Sequence, residues 1–187
     1  MIRNLSRVFD EYLAAAARAG DRGAFSRLAE NWQPKLLAHA WRLTGDADVA
    51  RDVVQDAWAD IVRGLPRLGD AALFPAWAYR IVSRRAADAI AKRVKTRRLI
   101  AAAEGLRGDD EAASVEAAAD AGPLARAIAA LPPDHRAAVA LFYIEDFSVA
   151  EIAAALDVPT GTVKTRLMHA RNRLRAALKG DGHDGRT

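Results

Sequence analysis

Cysteine is absent from this 187-residue sequence. Without thiols the chain forms no disulfide bond and offers no thiolate to a metal, a composition that fits a reducing compartment. The histidines show no metal-site spacing, and we find neither a glycine-rich phosphate loop nor a nucleophile–base motif. The sequence therefore predicts no metal, no cofactor and no enzymatic activity. The histidines are His39, His135, His169 and His183.

Aromatic residues are also scarce, at 6% of the sequence, while alanine is frequent. Strands favour β-branched and aromatic side chains, whereas alanine loses no side-chain entropy when a helix forms. The composition therefore predicts an all-α protein.

Long apolar runs are missing as well. The longest, over residues 137–144, is far shorter than the roughly 20 residues of a membrane-spanning helix. The run over residues 13–17 is shorter than the about 7–15 residues of a secretory signal core. We expect no membrane insertion and a cytoplasmic location.

Basic residues are in excess, with a formal net charge of +4 and a pI near 9.7. Such a balance favours polyanionic partners. The clearest motif, over residues 148–178, fits this balance. Ser148 and Glu151 have capping-box spacing and start one helix, and Pro159 with its neighbours interrupts the pattern before Thr160, which can cap a second helix. The motif therefore predicts a helix-turn-helix.

All charged residues of the second helix are positive: from Thr160 to Lys179 there are six Lys or Arg and no Asp or Glu. Such a helix fits the major groove of DNA, although a charged surface helix at the end of a bundle is the alternative. An apolar stripe at helical spacing predicts its buried side, and polar residues lie opposite. The stripe is Val163, Leu167, Ala170, Leu174 and Leu178; the polar side is Lys164, Thr165, Met168, His169 and Asn172.

Earlier in the chain, residues 28–43 have the pattern of a helical hairpin that Gly45 ends, and Asp48 can cap the next helix. That next helix has an apolar stripe from Val49 to Leu65 and an acidic opposite face. A solvated surface explains this face, and a docking surface for a basic partner is the alternative. The acidic face carries Asp52, Gln55, Asp56 and Asp60.

A further predicted helix, over residues 74–93, places Phe74, Trp77 and Ile81 on one side as core residues. From Arg80 to Arg98 the sequence has eight positive charges and one negative charge. A second nucleic-acid surface is the expected reason, and an ordinary solvated basic helix is the alternative.

The composition then changes to an acidic stretch over residues 104–120, which predicts a flexible linker between two domains. Four short helices follow it and must pack as one bundle, because none can bury its apolar face alone. We expect an N-terminal helical extension over 1–23, a first domain over 24–98, a linker over 99–122, a second domain over 123–179 and a disordered tail over 180–187.

Three segments resemble one family, the bacterial RNA polymerase sigma factors of the extracytoplasmic-function (ECF) group. DVVQDAW at 52–58 is similar to the family's polymerase-binding signature, and residues 74–93 are similar to its −10-element segment. Residues 131–178 resemble its −35-binding domain. The resemblance implies two helical domains, known as sigma regions 2 and 4, that bind core polymerase and promoter DNA.

The resemblance also implies a role for each surface. Asp52, Gln55 and Asp56 would contact core RNA polymerase, whose β′ and β subunits are the expected partners. The −10 element would be bound by Arg80, Arg84, Arg85, Asp88 and Lys92, together with the loop over 67–73. The −35 element would be bound by Thr162, Lys164, Thr165, Arg166, Met168, His169, Arg171 and Arg173.

A sigma factor of this group would initiate transcription of a stress or envelope-response regulon and be held inactive by an anti-sigma factor. One residue departs from the family pattern: Arg84 stands where members often carry asparagine, and a guanidinium only donates hydrogen bonds. Two alternatives remain at this point. They are a sigma-like mimic that binds an anti-sigma factor, and a stand-alone helix-turn-helix regulator.

Overall fold

The computed structural model describes residues 5–104 and 122–180, and within them every regular element is helical. The all-α prediction is thereby confirmed. Two short 3₁₀ turns, Leu65–Arg67 and Ala71–Leu73, connect the third and fourth helices. The helices are α1 (Leu5–Arg18), α2 (Arg22–Thr44), α3 (Ala47–Gly64), α4 (Phe74–Glu104), α5 (Pro123–Ala129), α6 (Pro133–Tyr143), α7 (Val149–Leu156) and α8 (Thr160–Gly180).

Local sequence signals explain where α2 and α3 begin and end. The Asp21 side chain caps α2, and Gly45 ends it with φ 69°, in the left-handed region that glycine adopts readily. The predicted hairpin over 28–43 is wrong, because α2 is one continuous helix that includes Pro34. Asp46 caps α3 by accepting hydrogen bonds from Asp48 N and Val49 N, so the cap lies two residues before the predicted one.

The core of the first domain is aromatic where α2 meets α4. Trp32 packs edge-to-face on Phe74 and on Tyr79, with ring centroids 5.3 and 5.5 Å apart. Such pairs are favourable beyond the apolar area that they bury. Of the other three tryptophans, Trp58 and Trp77 contact this core and Trp41 is exposed.

Helix α4 is longer than predicted, and its buried side is partly different. Phe74 is buried as expected, but Trp77 and Ile81 are only half-buried. Residues 99–104, expected in the linker, continue α4. The remainder of the predicted flexible acidic linker, 105–121, lies outside the described residues, as does the predicted tail from 181. The buried residues of α4 are Phe74, Ala78, Tyr79, Val82 and Ala86.

Helix α1, predicted as part of an extension, packs against α2. Leu13 and Ala14 are buried in the same core as Leu28 and Trp32. Arg18 Nη1 donates to the carbonyl oxygens of Leu68 and Gly69, at 2.6 and 2.9 Å, and so ties α1 to the loop before α4. Helix α1 is therefore a structural part of the first domain.

The second domain contains the predicted helix-turn-helix, α7 and α8. The capping box is present: Ser148 Oγ accepts from Glu151 N at 3.2 Å, and Glu151 Oε2 accepts from Ser148 N at 2.7 Å. Asp157 ends α7 with φ 55°, a left-handed conformation that aspartate tolerates better than most residues.

The apolar stripe of α8 is buried at its N-terminal end only. Val163, Leu167 and Ala170 are buried and Leu174 partly so, whereas Leu178 is exposed, contrary to prediction. Thr160 is the first residue of α8 rather than its cap.

The two domains are in contact, with α7 packed against α4 and α6 against α2. Phe147, in the loop between α6 and α7, is only 4% exposed and packs edge-to-face on Tyr79 at 5.6 Å. Their apolar residues therefore form one continuous cluster. None of the described helices is long and apolar enough to cross a membrane.

A buried histidine lies at the centre of the first domain. His39 is fully buried, its Nε2 is 2.9 Å from Ser83 Oγ, and its ring packs on Tyr79 at 4.8 Å. Burial, with a smaller contribution from Arg42, lowers the pKa of His39 to about 3. The folded chain therefore holds this imidazole neutral at pH values where the unfolded chain protonates it.

We expect the free energy of unfolding to fall as the pH drops below the unfolded histidine pKa, because only the unfolded chain gains the proton on residue 39. Between about pH 6 and pH 5 this group should contribute a loss of about 1 kcal/mol. Urea denaturation of the wild type and His39→Gln measures it. Burial also lowers the pKa of His135, so that residue adds a pH dependence of the same sign. Because His135 is present in both proteins, the difference between their slopes of unfolding free energy against pH isolates His39. Equal slopes in the two proteins would contradict the expectation.

Candidate nucleic-acid and partner interfaces

The outer side of α8 is a basic, exposed surface. Its predicted base-facing residues, Lys164, Thr165, Met168 and His169, are all exposed, and Thr162 is half-buried beside them. The buried stripe of α8 fixes their direction, because it turns the opposite side of the helix outward. The structure thus brings these residues together on one accessible surface.

The arginines of α8 differ in their freedom. Arg173 is exposed, whereas the Arg166 side chain is 19% exposed and its Nη2 lies 2.6 Å from Asp134 Oδ2. Arg171 Nε donates to Tyr143 Oη at 3.0 Å, and its guanidinium lies over the Phe142 ring at 5.6 Å. Arg171 is therefore held in position by α6.

Sequence reasoning missed two of these partners, Asp134 and Tyr143. Tyr143, at the end of α6, is 58% exposed, and its hydroxyl accepts a hydrogen bond from Arg171. No local pattern reveals the pair of Tyr143 and Arg171, because these two residues are 28 positions apart in the chain.

The acidic face of α3 is exposed at Asp52, Gln55 and Asp56. None of these three makes a side-chain ion pair within residues 5–104 and 122–180. Asp60 differs: it accepts from Arg63 at 2.6 Å and from Arg85 Nε at 2.6 Å. These contacts, Arg63 first, lower the pKa of Asp60. The available acidic face is therefore smaller than the sequence pattern suggested.

The predicted −10 residues of α4 fall into two groups. Arg80, Arg84, Asp88 and Lys92 follow one another at intervals of four residues along the helix, and Lys92 is exposed. Arg85 lies about 100° around the helix from Arg84 and is paired with Asp60 of α3.

Asp157 of the second domain bridges the arginines of the first group. Arg80 Nη2 lies 2.7 Å from Asp157 Oδ1, and Arg84 Nη2 lies 2.9 Å from Oδ2. Arg84 Nε donates to Oδ2 as well, at 3.1 Å. The hydrogen bond from Arg84, followed by the charge of Arg80, lowers the pKa of Asp157.

Both domains match described protein families. Residues 28–96 match "Sigma-70 region 2" and residues 121–174 match "Sigma-70, region 4". The first match contains α3 and most of α4, and the second contains α5 to α7 and most of α8.

Curated relatives cover most of the chain. It is 33% identical to the ECF RNA polymerase sigma factor SigM of Mycobacterium tuberculosis over 90% of this chain and 84% of SigM. It is 30% identical to the ECF RNA polymerase sigma-E factor of Escherichia coli K12, over 87% of this chain and 90% of that protein.

Among solved structures, the sigma factor RpoE of Bartonella quintana in complex with the anti-sigma factor NepR is similar, with a TM-score of 0.60. The identity is 26%, over 83% of this chain and 96% of RpoE. Since both regions are present and these relatives match most of its length, this chain belongs to the ECF group of RNA polymerase sigma factors.

Proposed function

We propose that this sigma factor binds core RNA polymerase through the acidic face of α3 and promoter DNA through α4 and α8. One observation carries the proposal: the unpaired exposed charges are segregated. Arg51 and Arg63 of α3 are paired within the helix, which leaves the carboxylates of Asp52 and Asp56 there, whereas the exposed charges described on α8 are all positive. An acidic surface attracts a basic partner and a basic surface attracts a polyanion, so polymerase and DNA are attracted to different parts of the chain. The bond-forming chemistry belongs to the polymerase, so the chain acts as a specificity subunit without catalysis of its own. It acts in the cytoplasm, where the polymerase is.

The docking face for polymerase consists of Asp52, Gln55 and Asp56. The two carboxylates are free to take a basic partner, since they make no ion pair among the described residues. Asp60, one turn further along α3, is already neutralised by Arg63 and Arg85 and supports α4 instead. The proposed face therefore ends at Asp56.

Replacing Gln55 with Ala together with Asp56→Lys should weaken core polymerase binding at least about tenfold, because like charges would then meet at the interface at a cost of several kcal/mol. Interferometry with immobilised core enzyme measures the affinity, and circular dichroism checks the helix content. Glu30→Lys on the exposed side of α2 is the matched control. If the double variant bound core enzyme as tightly as Glu30→Lys, the docking face would be wrongly assigned.

Promoter reading by α8 divides between base contacts and phosphate contacts. Lys164 and His169 lie on the outward side, where base edges in the major groove would meet them. Arg171 and Arg173 lie further along the helix, and Arg171 is positioned by Tyr143 and Phe142. We assign the first pair to sequence recognition and the second to phosphate binding. Arg166 is less available for phosphate, because it is paired with Asp134.

The Arg171→Ala and Arg173→Ala double variant should weaken binding of the holoenzyme to all −35 sequences alike and reduce the salt slope by about one per lost phosphate contact. Lys164→Ala or His169→Ala should instead change the preferred sequence, at about 1–3 kcal/mol per good base contact. Competition binding on a promoter library randomised at the −35 element separates these outcomes. Identical behaviour of both sets would refute the division of α8, although not the helix-turn-helix.

We also infer that an anti-sigma factor holds this chain inactive. The similar structure from Bartonella quintana contains a sigma factor with such a partner, and the similarity extends over most of both chains. A protein purified with the tagged chain from its host should block run-off transcription by the reconstituted holoenzyme. A bound protein without that inhibition would argue against the inference.

A further inference from the structure

Arg80 and Arg84 together form an anion-binding site on the first domain. Their side chains are 43% and 59% exposed, and their guanidinium groups converge on the two oxygens of one carboxylate, that of Asp157. Each oxygen takes one arginine. Guanidinium groups donate charge-assisted hydrogen bonds to the oxygens of carboxylates and of phosphates alike. A phosphate of bound DNA can therefore take the place that the carboxylate occupies.

The anion in the site comes from the turn of the helix-turn-helix. Asp157 ends α7 in the left-handed conformation, directly before the helix proposed to read the −35 element. The contact joins residues 77 and 73 positions apart. The same two arginines therefore cannot hold a DNA phosphate while the second domain is docked in this position.

The docked arrangement also rests on Phe147, which is buried against Tyr79, and on two ion pairs. Arg7 pairs with Glu151 at 2.9 Å, and Lys35 with Glu145 at 3.8 Å. Both pairs are only partly exposed, and Glu145 least of all, at 12%. An apolar cleft of about 530 Å³ nevertheless remains open between α4 and the second domain, so this interface lacks the close packing of a protein interior. Undocking therefore separates Phe147 from Tyr79 as well as the ion pairs.

We propose that Asp157 occupies, in the free chain, the phosphate site formed by Arg80 and Arg84, so that the second domain and promoter DNA compete for the same two guanidinium groups. The proposal rests on the DNA-binding role given to α4 above. Release of the second domain by DNA or by polymerase exposes this site, and docking of the second domain closes it.

The experiment uses the full chain without polymerase, so its result does not depend on the transcription assays. Because the sequence has no cysteine, Ala59→Cys and Ala177→Cys, both exposed, place a donor and an acceptor dye on the two domains. Energy transfer reports the distance between them. A fluorescein-labelled 12-residue oligothymidylate, used with the undyed chain, is the phosphate probe.

Asp157→Asn removes the charge, and asparagine keeps the left-handed conformation. The matched control is Asp146→Asn, since Asp146 has φ 54°, is exposed and also loses one negative charge. We expect Asp157→Asn alone to shift the closed chain toward the open form and to tighten binding of the oligonucleotide, each by about threefold to tenfold. Adding Arg80→Ala and Arg84→Ala should abolish the tighter binding, and the oligonucleotide should open the wild type.

Equal energy transfer and equal oligonucleotide affinity in Asp157→Asn and Asp146→Asn would overturn the proposal. Tighter DNA binding without a change in distance would also overturn it, because the second domain would then not be displaced. Opening without tighter binding would show that the carboxylate does not occupy a phosphate site. If the chain failed to bind polymerase while both expected changes occurred, the proposed function would fall and the phosphate site would stand.

Discussion

The packing of Tyr79 is the interaction on which the arrangement of both domains depends. Its ring contacts Trp32 and His39 in the first domain and Phe147 of the second. Burial raises the pKa of its hydroxyl, and the nearby charge of Glu145 raises it further, so the group stays neutral. Tyr79 thus fixes α4 to α2 and at the same time receives the loop between α6 and α7.

The same anchoring determines which way the arginines face. The buried side of α4 contains Tyr79, Val82 and Ala86. Arg80, and Arg84 one turn later, lie beside it, where α7 approaches α4. Docking of Phe147 on Tyr79 brings the helix-turn-helix to this side of α4, where Asp157 meets the two guanidinium groups.

Local features of the sequence were the most predictable parts of this structure. The capping box of Ser148 and Glu151, the interruption at Pro159 and the buried start of the α8 stripe follow from interactions within a few residues. The hairpin expected over 28–43 was wrong because the tertiary contacts of Leu28, Trp32 and Leu36 keep α2 helical through Pro34. Leu178 is exposed because α8 continues beyond the last residues that pack against the second domain's core.

The site itself was predictable as a set of charged faces but not as a set of contacts. The helical spacing of the apolar residues in α3 placed Asp52, Gln55 and Asp56 together on the opposite face, and the positive charge of α8 indicated its outward side. Pairs such as Arg85 with Asp60, or Arg166 with Asp134, join residues from different helices. No periodicity within one helix encodes such partners, so the sequence could not tell a free cation from a neutralised one.

Weak internal ion pairs suit a protein that must also bind a polyanion. A buried salt bridge would hold its arginine too firmly, since breaking such a pair leaves an uncompensated charge at a cost of about 3–5 kcal/mol. Exposed pairs cost only about 0.2–1 kcal/mol to exchange. The partly exposed pairs of Arg80 and Arg84 with Asp157 therefore neutralise cations in the free chain and still leave them available to the stronger negative potential of DNA.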